Sequence, residues 1–494
     1  MNRIKKNYFG IVIVICLVIV GLIFRLKGIS SNQSFWNDES HVAIMARGVL
    51  EYGRPITPAG YSTGIYQTIL YYLTALSFKI LGISEFAGRL PSVLAGAGLV
   101  MAGYFIAKKL FSLRTATIVA FLLTFSQIQL AWSTQLRPYI WLELFTLLIS
   151  YFLYQYIKSP WKLLDKYFIY SVTVSLLSCL FHGTGILNLA IVGLIFMYKI
   201  IKYKKYVYIS VLPLLIITGV WVVYRSMGGG WGFVHHVIFK IYFSPLHYRI
   251  FLTHNYLWLI LGASIGFFTL YRRNKELAVL LGGSIVFIFA VAIFKINPNY
   301  VRYSLPAFPL MYILFAEGVV SVVEKITKKE YLRWLLIALT LALLGLRGKF
   351  IFWPKNYYSI NADVRENPTV DYKLVFARIK DLLRDEEAAF VVDSWNDRVP
   401  WYLPGKEYIM VSYANSDGEI DPVYGERFVG TLGGLKREIT DHQSGVVIVE
   451  DWPSFMSEEI KDYVRKNLKF EFTVQDLPYN ENDHWGISVY SWGI

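Results

Sequence analysis

Long apolar stretches recur through residues 1–350 and limit the possible folds more than any other feature. Crossing the hydrocarbon core of a bilayer takes roughly 20 apolar residues in a helix. The chain is 55% hydrophobic and only 17% charged, which is too apolar for an ordinary soluble protein. The sequence therefore predicts an α-helical polytopic membrane protein with about 11 transmembrane helices. The predicted spans are residues 8–26, 89–111, 115–132, 138–157, 167–184, 186–201, 206–224, 251–271, 277–294, 303–322 and 332–348.

Basic clusters between these spans predict the orientation, because Lys and Arg accumulate in cytoplasmic loops. With the predicted spans, every cluster falls on the side of the N-terminus, which is then the cytoplasm. Residues 65–82 are also long enough to cross, but a crossing there would move all later clusters outside. We therefore expect a helix at or dipping into the outer interface, within a first outer loop of residues 27–88. The clusters are Lys5-Lys6, Lys108-Lys109 with Arg114, Lys158 with Lys162 and Lys166, and residues 199–205, 272–275 and 325–333.

Charge separates a membrane domain, residues 1–350, from an extracytoplasmic domain, residues 351–494. Residues 1–354 carry a net charge of +24 and residues 355–494 a net charge of −10. The basic balance of the chain thus reflects membrane-flanking residues and gives no reason to expect nucleic acid. No glycine-rich phosphate loop follows a predicted strand, which argues against nucleotide binding. An α/β fold is predicted for this domain, with strands at 388–394, 408–413, 445–450 and 486–492 and helices at 371–384 and 457–468.

Placing an acidic residue close to apolar membrane segments costs free energy, so each such residue calls for a structural or functional explanation. Asp38 and Glu39 follow the first span by about a dozen residues. A carboxylate held there can deprotonate an acceptor hydroxyl. The alternative is that Asp38 caps a helix at residues 40–50. Glu143 lies two turns below Arg137 on one predicted helix, and we expect it to be a buried structural partner.

Three arginines lie near the outer face, where the positive-inside rule disfavours them. They are Arg89, Arg137 and Arg302. Because a guanidinium binds phosphate with two parallel hydrogen bonds, a lipid phosphate at the outer interface is a suitable partner. The alternative is that each arginine reaches toward lipid head groups.

The histidines indicate a functional site less clearly than the acidic residues and arginines do. His182 lies at an outer helix end and is either a site residue or a satisfied core histidine. His235-His236 and His247 lie in the loop 225–250 with no carboxylate near them in sequence, so a metal site has little support. We expect no cofactor and predict no metal ligands, although the sequence does not exclude a divalent metal.

The order of these motifs resembles the membrane glycosyltransferases of the protein O-mannosyltransferase and lipid A aminoarabinose transferase type, the GT-C class. In that group Asp-Glu follows the first span, as at Asp38. Arg-Leu-Pro opens the next span, as at Arg89. Arg-x-Tyr follows, as at Arg137, and Arg-Tyr-x-Leu-Pro comes later, as at Arg302. His182 matches a histidine that often follows the fourth span.

The sequence departs from the family pattern in two places. Gln135 stands where the family often has an acidic residue, and residues 62–65 lack the family's Lys-Pro. A phosphate contact that the family makes is therefore either absent here or supplied elsewhere.

The resemblance implies inverting transfer of a sugar from a polyprenyl-phosphate donor to an acceptor hydroxyl, which belongs to a lipid, a glycan or a protein. Asp38 would be the general base and Glu39 its support, and the three arginines would hold the donor phosphate. Tyr139, His182 and Tyr303 would line the substrate pocket. A transporter or flippase of the cell envelope is the rival class, and it would show paired internal repeats. We find no clear repeat. A structural scaffold for an envelope complex is a third possibility.

Overall fold

The computed structural model of the protein describes residues 2–30, 34–36, 38–64, 67–206, 208, 217, 221, 245–295, 300–346, 350–355, 370–383, 389–475 and 486–494. Its contacts divide the chain into two compact units. The first, here called the membrane unit, comprises Met1–Lys27, Thr63–Leu70 and Leu90–Arg365. The second, here called the loop–sheet unit, comprises Gly28–Ser62, Tyr71–Arg89 and Glu366–Ile494.

Thirteen α-helices lie within residues 1–350 in the described part of the chain. Seven helical stretches there are long and apolar enough to cross a membrane, which confirms the predicted polytopic helical fold. The helices are α1 (Asn2–Ser30), α2 (Asp38–Tyr52), α3 (Thr68–Leu81), α4 (Glu85–Leu110), α5 (Leu113–Phe125), α6 (Gln127–Ser133), α7 (Tyr139–Lys158), α8 (Lys166–Phe181), α9 (Ile186–Lys202), α10 (Pro245–Arg273), α11 (Lys275–Lys295), α12 (Phe308–Ile326) and α13 (Glu330–Leu346).

The span predicted at 115–132 is two helices rather than one. Ser126 separates α5 from α6 with an extended backbone, φ −62° and ψ 128°. It forms an isolated β-bridge with Phe350, and the Ile351 N–H donates to the carbonyl of Phe125 at 2.9 Å. Apolar length alone predicted a continuous helix, because the partner that satisfies the broken backbone lies more than 200 residues away in sequence.

The stretch at 65–82 forms α3, which has 14 residues. A helix of that length extends about 21 Å and is short for a hydrocarbon core of about 30 Å. The helix itself was predicted, and its length favours the interfacial interpretation. The predicted span 206–224 falls almost entirely outside the described residues, as does most of the loop 225–250.

Ion pairs join several of the predicted cytoplasmic clusters within the membrane unit. Arg114 contacts Glu324 at 2.7 Å and Glu330 at 3.1 Å. Lys158 and Lys202 both contact Glu276, at 3.1 and 2.8 Å. Because these residues follow or precede different spans, each group of ion pairs holds several helix ends together.

The sheet of the loop–sheet unit has six strands in the order β3-β2-β1-β4-β6-β5. The first four strands of that order run parallel to one another, and β6 runs antiparallel to both of its neighbours, β4 and β5. Apolar clusters cover both faces, one around Val391 and Val446 and the other around Val392 and Val447. The strands are β1 (Phe390–Asp393), β2 (Tyr408–Val411), β3 (Arg427–Val429), β4 (Gly445–Glu450), β5 (Lys469–Gln475) and β6 (Gly486–Trp492).

The α/β prediction is confirmed, with elements that sequence reasoning missed. The predicted strands and helices are present, the helices as α14 (Tyr372–Leu382) and α17 (Glu458–Asn467). The missed elements are β3, β5, α15 (Arg398–Tyr402) and α16 (Leu432–Asp441). β5 alternates charged and apolar residues and is half exposed at the sheet edge, so its pattern is weaker than that of the buried parallel strands.

Side chains of the first loop contact the C-terminal region within the loop–sheet unit. The Ser34 hydroxyl donates to Asp371 at 2.8 Å, and the Phe35 N–H donates to the Tyr402 hydroxyl at 2.9 Å. His41 and Tyr424 are joined by a 2.9 Å hydrogen bond. Sequence analysis assigned residues 27–88 to the membrane domain, whereas most of this loop packs with residues 366–494. The first loop and the C-terminal region therefore lie on the same side of the membrane.

We expect that side to be the outer one, and cysteine labelling tests this orientation. In a background without Cys16 and Cys179, single cysteines at Ser62 and Ser416 should both react with a membrane-impermeant thiol reagent in intact cells. A cysteine at Thr327, beside the basic cluster 325–333, should react only after permeabilisation. Labelling at Thr327 combined with protection at Ser416 would reverse the orientation.

Candidate active site

The candidate site residues divide between the two units. Asp38, Glu39 and Arg89 belong to the loop–sheet unit, and the other five belong to the membrane unit.

Asp38 and Glu39 open α2 but differ sharply in environment. Asp38 is exposed, whereas Glu39 is fully buried. A carboxylate in the first turn of a helix is stabilised by the macrodipole. Asp38 is the first residue of this helix. That position is compatible with both predicted roles of Asp38, the general base and the helix cap.

Glu39 is held on both of its oxygens. Arg89, in the first turns of α4, donates from Nε to Oε1 at 2.8 Å and from Nη2 to Oε2 at 2.8 Å. The Trp36 N–H donates to Oε2 at 3.1 Å. The guanidinium also donates to the Ser34 carbonyl at 2.7 Å and lies over the Phe35 ring. Arg89 was predicted to bind the donor phosphate, and the structure gives its buried guanidinium a different partner, the carboxylate of Glu39.

The five predicted residues of the membrane unit lie together, in what we call the arginine–aromatic cluster: Arg137, Tyr139, His182, Arg302 and Tyr303. The Tyr139 ring centroid is 5.4 Å from that of His182 and 6.2 Å from that of Tyr303. The Arg302 guanidinium lies 5.9 Å from the Tyr139 ring and 5.6 Å from the Tyr303 ring. Residues separated by more than 160 positions in sequence therefore meet at one place.

Three turns position these side chains. Arg137 is buried in the turn between α6 and α7, where its N–H donates to the Gln135 carbonyl at 2.9 Å. The Ser92 hydroxyl donates to the Arg137 carbonyl at 3.4 Å. His182 ends α8, and Arg302 lies in a 3₁₀-helix, Val301–Ala307, that leads into α12.

His182 is neutral at ordinary pH. Burial, together with the positive charges of Arg302 and Arg137, lowers its pKa to about 3. The Thr184 N–H donates to Nδ1 at 3.2 Å, so the neutral ring carries its proton on Nε2. Two guanidinium groups beside a neutral imidazole and tyrosines are well suited to a phosphate.

Sequence reasoning missed one residue beside the cluster and one buried arginine of the membrane unit. Tyr300 lies beneath the Arg302 guanidinium at 4.0 Å from its ring centroid. Its place two residues before Arg302 was the available signal. Arg25 is fully buried in α1, where it donates to the Ser133 hydroxyl at 2.8 Å and the Leu123 carbonyl at 3.0 Å.

Glu143 has the buried structural environment that was predicted, with one correction. Gln129 Nε2 donates to its Oε2 at 2.6 Å, which links α6 to α7 beneath the turn that carries Arg137. Arg137 itself is not on the helix of Glu143, because α7 begins at Tyr139. The pyrrolidine ring of Pro138 favours this late start.

No group of three or more His, Cys, Asp or Glu residues arranged to hold a metal occurs among the described residues. His235 and His236 lie outside them, and nothing is described of the His247 side chain.

Comparisons with known proteins identify the fold. The apo crystal structure of ArnT from Cupriavidus metallidurans has a TM-score of 0.60 at 13% identity, covering 99% of this chain and 98% of that one. ArnT bound to undecaprenyl phosphate has a TM-score of 0.60 at 14% identity, covering 97% of each chain. The apo oligosaccharyltransferase of Archaeoglobus fulgidus has a TM-score of 0.58 at 12% identity, covering 90% of this chain and 70% of that one.

Sequence matches add to the structural ones. Residues 68–224 match the family model described as dolichyl-phosphate-mannose-protein mannosyltransferase. An uncharacterised protein of Aquifex aeolicus is 26% identical over 355 residues, which are 67% of this chain and 68% of that protein. The fold is thus that of the GT-C membrane glycosyltransferases. The family match over residues 68–224 agrees with this fold, as the motif order predicted.

Proposed function

We propose that the chain transfers a sugar from a polyprenyl-phosphate donor to an acceptor hydroxyl at the outer membrane face, with inversion at the anomeric carbon. The observation that carries this proposal is the arginine–aromatic cluster, which gathers five residues that the sequence had singled out. The ArnT structure with bound undecaprenyl phosphate supports a lipid-phosphate donor.

In this mechanism the cluster binds the donor phosphate. Arg302 and Arg137 neutralise the charge that develops on the phosphate oxygens as the bond to the sugar breaks. The Nε2–H of His182 and the hydroxyls of Tyr139 and Tyr303 are further donors. The polyprenyl phosphate leaves with the bonding electron pair. It needs no proton, because the guanidinium groups of Arg302 and Arg137 balance its negative charge.

Asp38 takes the proton of the acceptor. As the acceptor oxygen forms its bond to the anomeric carbon, the hydroxyl proton passes to the Asp38 carboxylate. A single displacement of this kind inverts the configuration. Glu39 cannot serve in the same way, because Arg89 engages both of its oxygens. We therefore assign Glu39 and Arg89 as positioning residues that fix the start of α2.

The Arg302→Ala variant tests the donor site. Losing a charged hydrogen bond to phosphate costs about 1.5–3 kcal/mol, so the donor KM should rise roughly tenfold to a hundredfold. Inhibition by free polyprenyl phosphate should weaken to the same extent. Arg302→Lys should recover part of the loss, since it keeps the charge but not the two parallel bonds.

Arg249→Ala is the matched control, because Arg249 is an exposed arginine of α10 outside the cluster. It should leave both constants unchanged. Equal donor KM values in wild type, Arg302→Ala and Arg249→Ala would contradict the assigned phosphate site.

A further inference from the structure

A cleft in the loop–sheet unit lies along α2, on the helix that Asp38 opens. It encloses about 330 Å³, within the range of small-ligand sites. One wall is the later part of α2 with Arg47 and Glu51, and the other is formed by residues 400–408 and by Glu426. Since Asp38 and Glu51 are 13 positions apart on one helix, the far end of the cleft is about 20 Å along the axis from the proposed base.

The lining combines flat apolar faces with charged groups. Pro58, Pro400 and Pro404 line the cleft, as does Tyr52, whose side chain is 52% exposed. Buried Tyr408 and Tyr424 form the floor. Faces of this kind can pack against the C–H face of a sugar ring, while carboxylate and guanidinium groups at the edge can bond its hydroxyls.

The charges disfavour an anionic ligand. Three carboxylates, of Glu51, Glu407 and Glu426, outnumber the cations of Arg47 and Lys406. Burial, the neighbouring Glu407 and Asp421 together raise the pKa of Glu426, which reflects the acidic surroundings of this side chain. A lipid tail is also unsuited to a rim that carries five charged groups.

Arg47 is fixed in place before any ligand arrives. It donates to the Pro400 carbonyl at 3.3 Å, lies 5.8 Å from the centroid of the Trp401 ring, and approaches Glu51 at 3.9 Å. A side chain held by three neighbours loses little further freedom on binding. Arg47 is therefore a preorganised polar group of the cleft.

We propose that this cleft binds a neutral carbohydrate portion of the acceptor, away from the hydroxyl that reacts. The proposal rests on the glycosyltransferase function and extends it, because it assigns the acceptor to the glycan or glycolipid class. Binding at the cleft would hold the acceptor along α2 and deliver one hydroxyl toward Asp38.

The test uses the full chain in nanodiscs with three neutral trisaccharides as probes: mannotriose, chitotriose and a galactose trisaccharide. Saturation-transfer NMR should detect binding of at least one of them. Its affinity should fall about tenfold or more in Glu426→Gln and in Tyr52→Ala, which remove a charged hydrogen bond and a packing face. Glu419→Gln and Tyr413→Ala are matched controls, since both residues are exposed in the same unit outside the cleft, and should bind like wild type.

Absence of binding by all three trisaccharides would overturn the proposal, as would equal losses in cleft variants and controls. If inorganic phosphate or trilysine bound at the cleft and no trisaccharide did, the proposal would be wrong, and the ligand of the cleft would be an anion or a cation. Hydrolysis of the donor by water, measured in parallel, should be unchanged in the cleft variants. Absence of this hydrolysis in wild type would count against the proposed function alone, because trisaccharide binding is measured without donor.

Discussion

Asp38→Asn should fold normally and lose turnover by about 10²–10⁴-fold, the usual scale of general-base catalysis. Asparagine has nearly the size of aspartate and is as good at a helix N-cap. If Asp38 is only a structural residue, the variant should therefore be stable and nearly fully active. The exposure of Asp38 at the start of α2 also predicts little change in stability. The measurement is turnover of the lipid-linked donor alongside thermal unfolding of the same preparation.

Glu39→Gln gives the contrasting result. Removing one charge of a buried ion pair is expected to cost about 3–5 kcal/mol, so this variant should lose stability as well as activity. Turnover of Asp38→Asn equal to that of wild type would end the assignment of Asp38 as the base. Glu51 and Glu85 of the same loop would then be the next candidates.

Arg398→Met should destabilise the loop–sheet unit by about 3–5 kcal/mol, because it leaves two buried carboxylates without their cation. Arg398 pairs with Asp393, at the end of β1, and with Glu450, at the end of the neighbouring parallel strand β4, the latter at 3.0 Å. All three side chains are buried. Ligands of open α/β sheets bind outside the carboxyl ends of such strands, and here Arg398 fills that position.

The loss of stability in Arg398→Met should depend on pH. Burial raises the pKa of Asp393 to about 6 despite the opposing charge of Arg398. A carboxyl group whose pKa is raised by folding binds its proton more tightly in the folded state, so stability rises as pH falls through that value. Without Arg398 this effect should be larger, and the variant should recover part of its stability between pH 7.5 and pH 5.

Hydrogen exchange of the β1 and β4 amides, in the full chain in nanodiscs, measures this loss. Arg437→Met is the matched control: its ion pair with Asp417 is exposed on the arginine side by 66%, and such pairs contribute about 0–1 kcal/mol. Equal protection in the two variants would show that the buried cluster does not stabilise the sheet. Because Tyr402 of α15 bonds the Phe35 N–H, Arg398→Met should also slow turnover by loosening the start of α2.

The sequence predicted those features of the fold that depend on residues close together in the chain. Apolar length predicted membrane-spanning helices, charge asymmetry and strand patterns predicted the α/β domain, and the sequence singled out the five residues that the structure brings together in the arginine–aromatic cluster. It failed where the deciding partner is distant in sequence. The break at Ser126 involves Phe350, and Arg89 pairs with Glu39, 50 positions earlier in the sequence. No local pattern encodes such pairs.

The packing of the first loop was equally hidden. Ser34, Phe35 and His41 belong by sequence to a loop between two spans, and each finds its partner more than 330 positions later. The order of elements along a chain cannot reveal contacts across that distance. For the same reason β5 and α16, which pack through partners elsewhere in the domain, were not predicted.

The most direct test of the central claim is donor turnover by the purified full chain. The protein would be incubated with a panel of polyprenyl-phosphate sugars and, separately, with nucleotide sugars. Each donor would carry one label on the sugar and another on the lipid or nucleotide portion. We expect release of free polyprenyl phosphate from at least one lipid donor, at a rate that falls with Asp38→Asn and with Arg302→Ala. Turnover of nucleotide sugars alone, or lipid-donor turnover unaffected by both substitutions, would contradict the account.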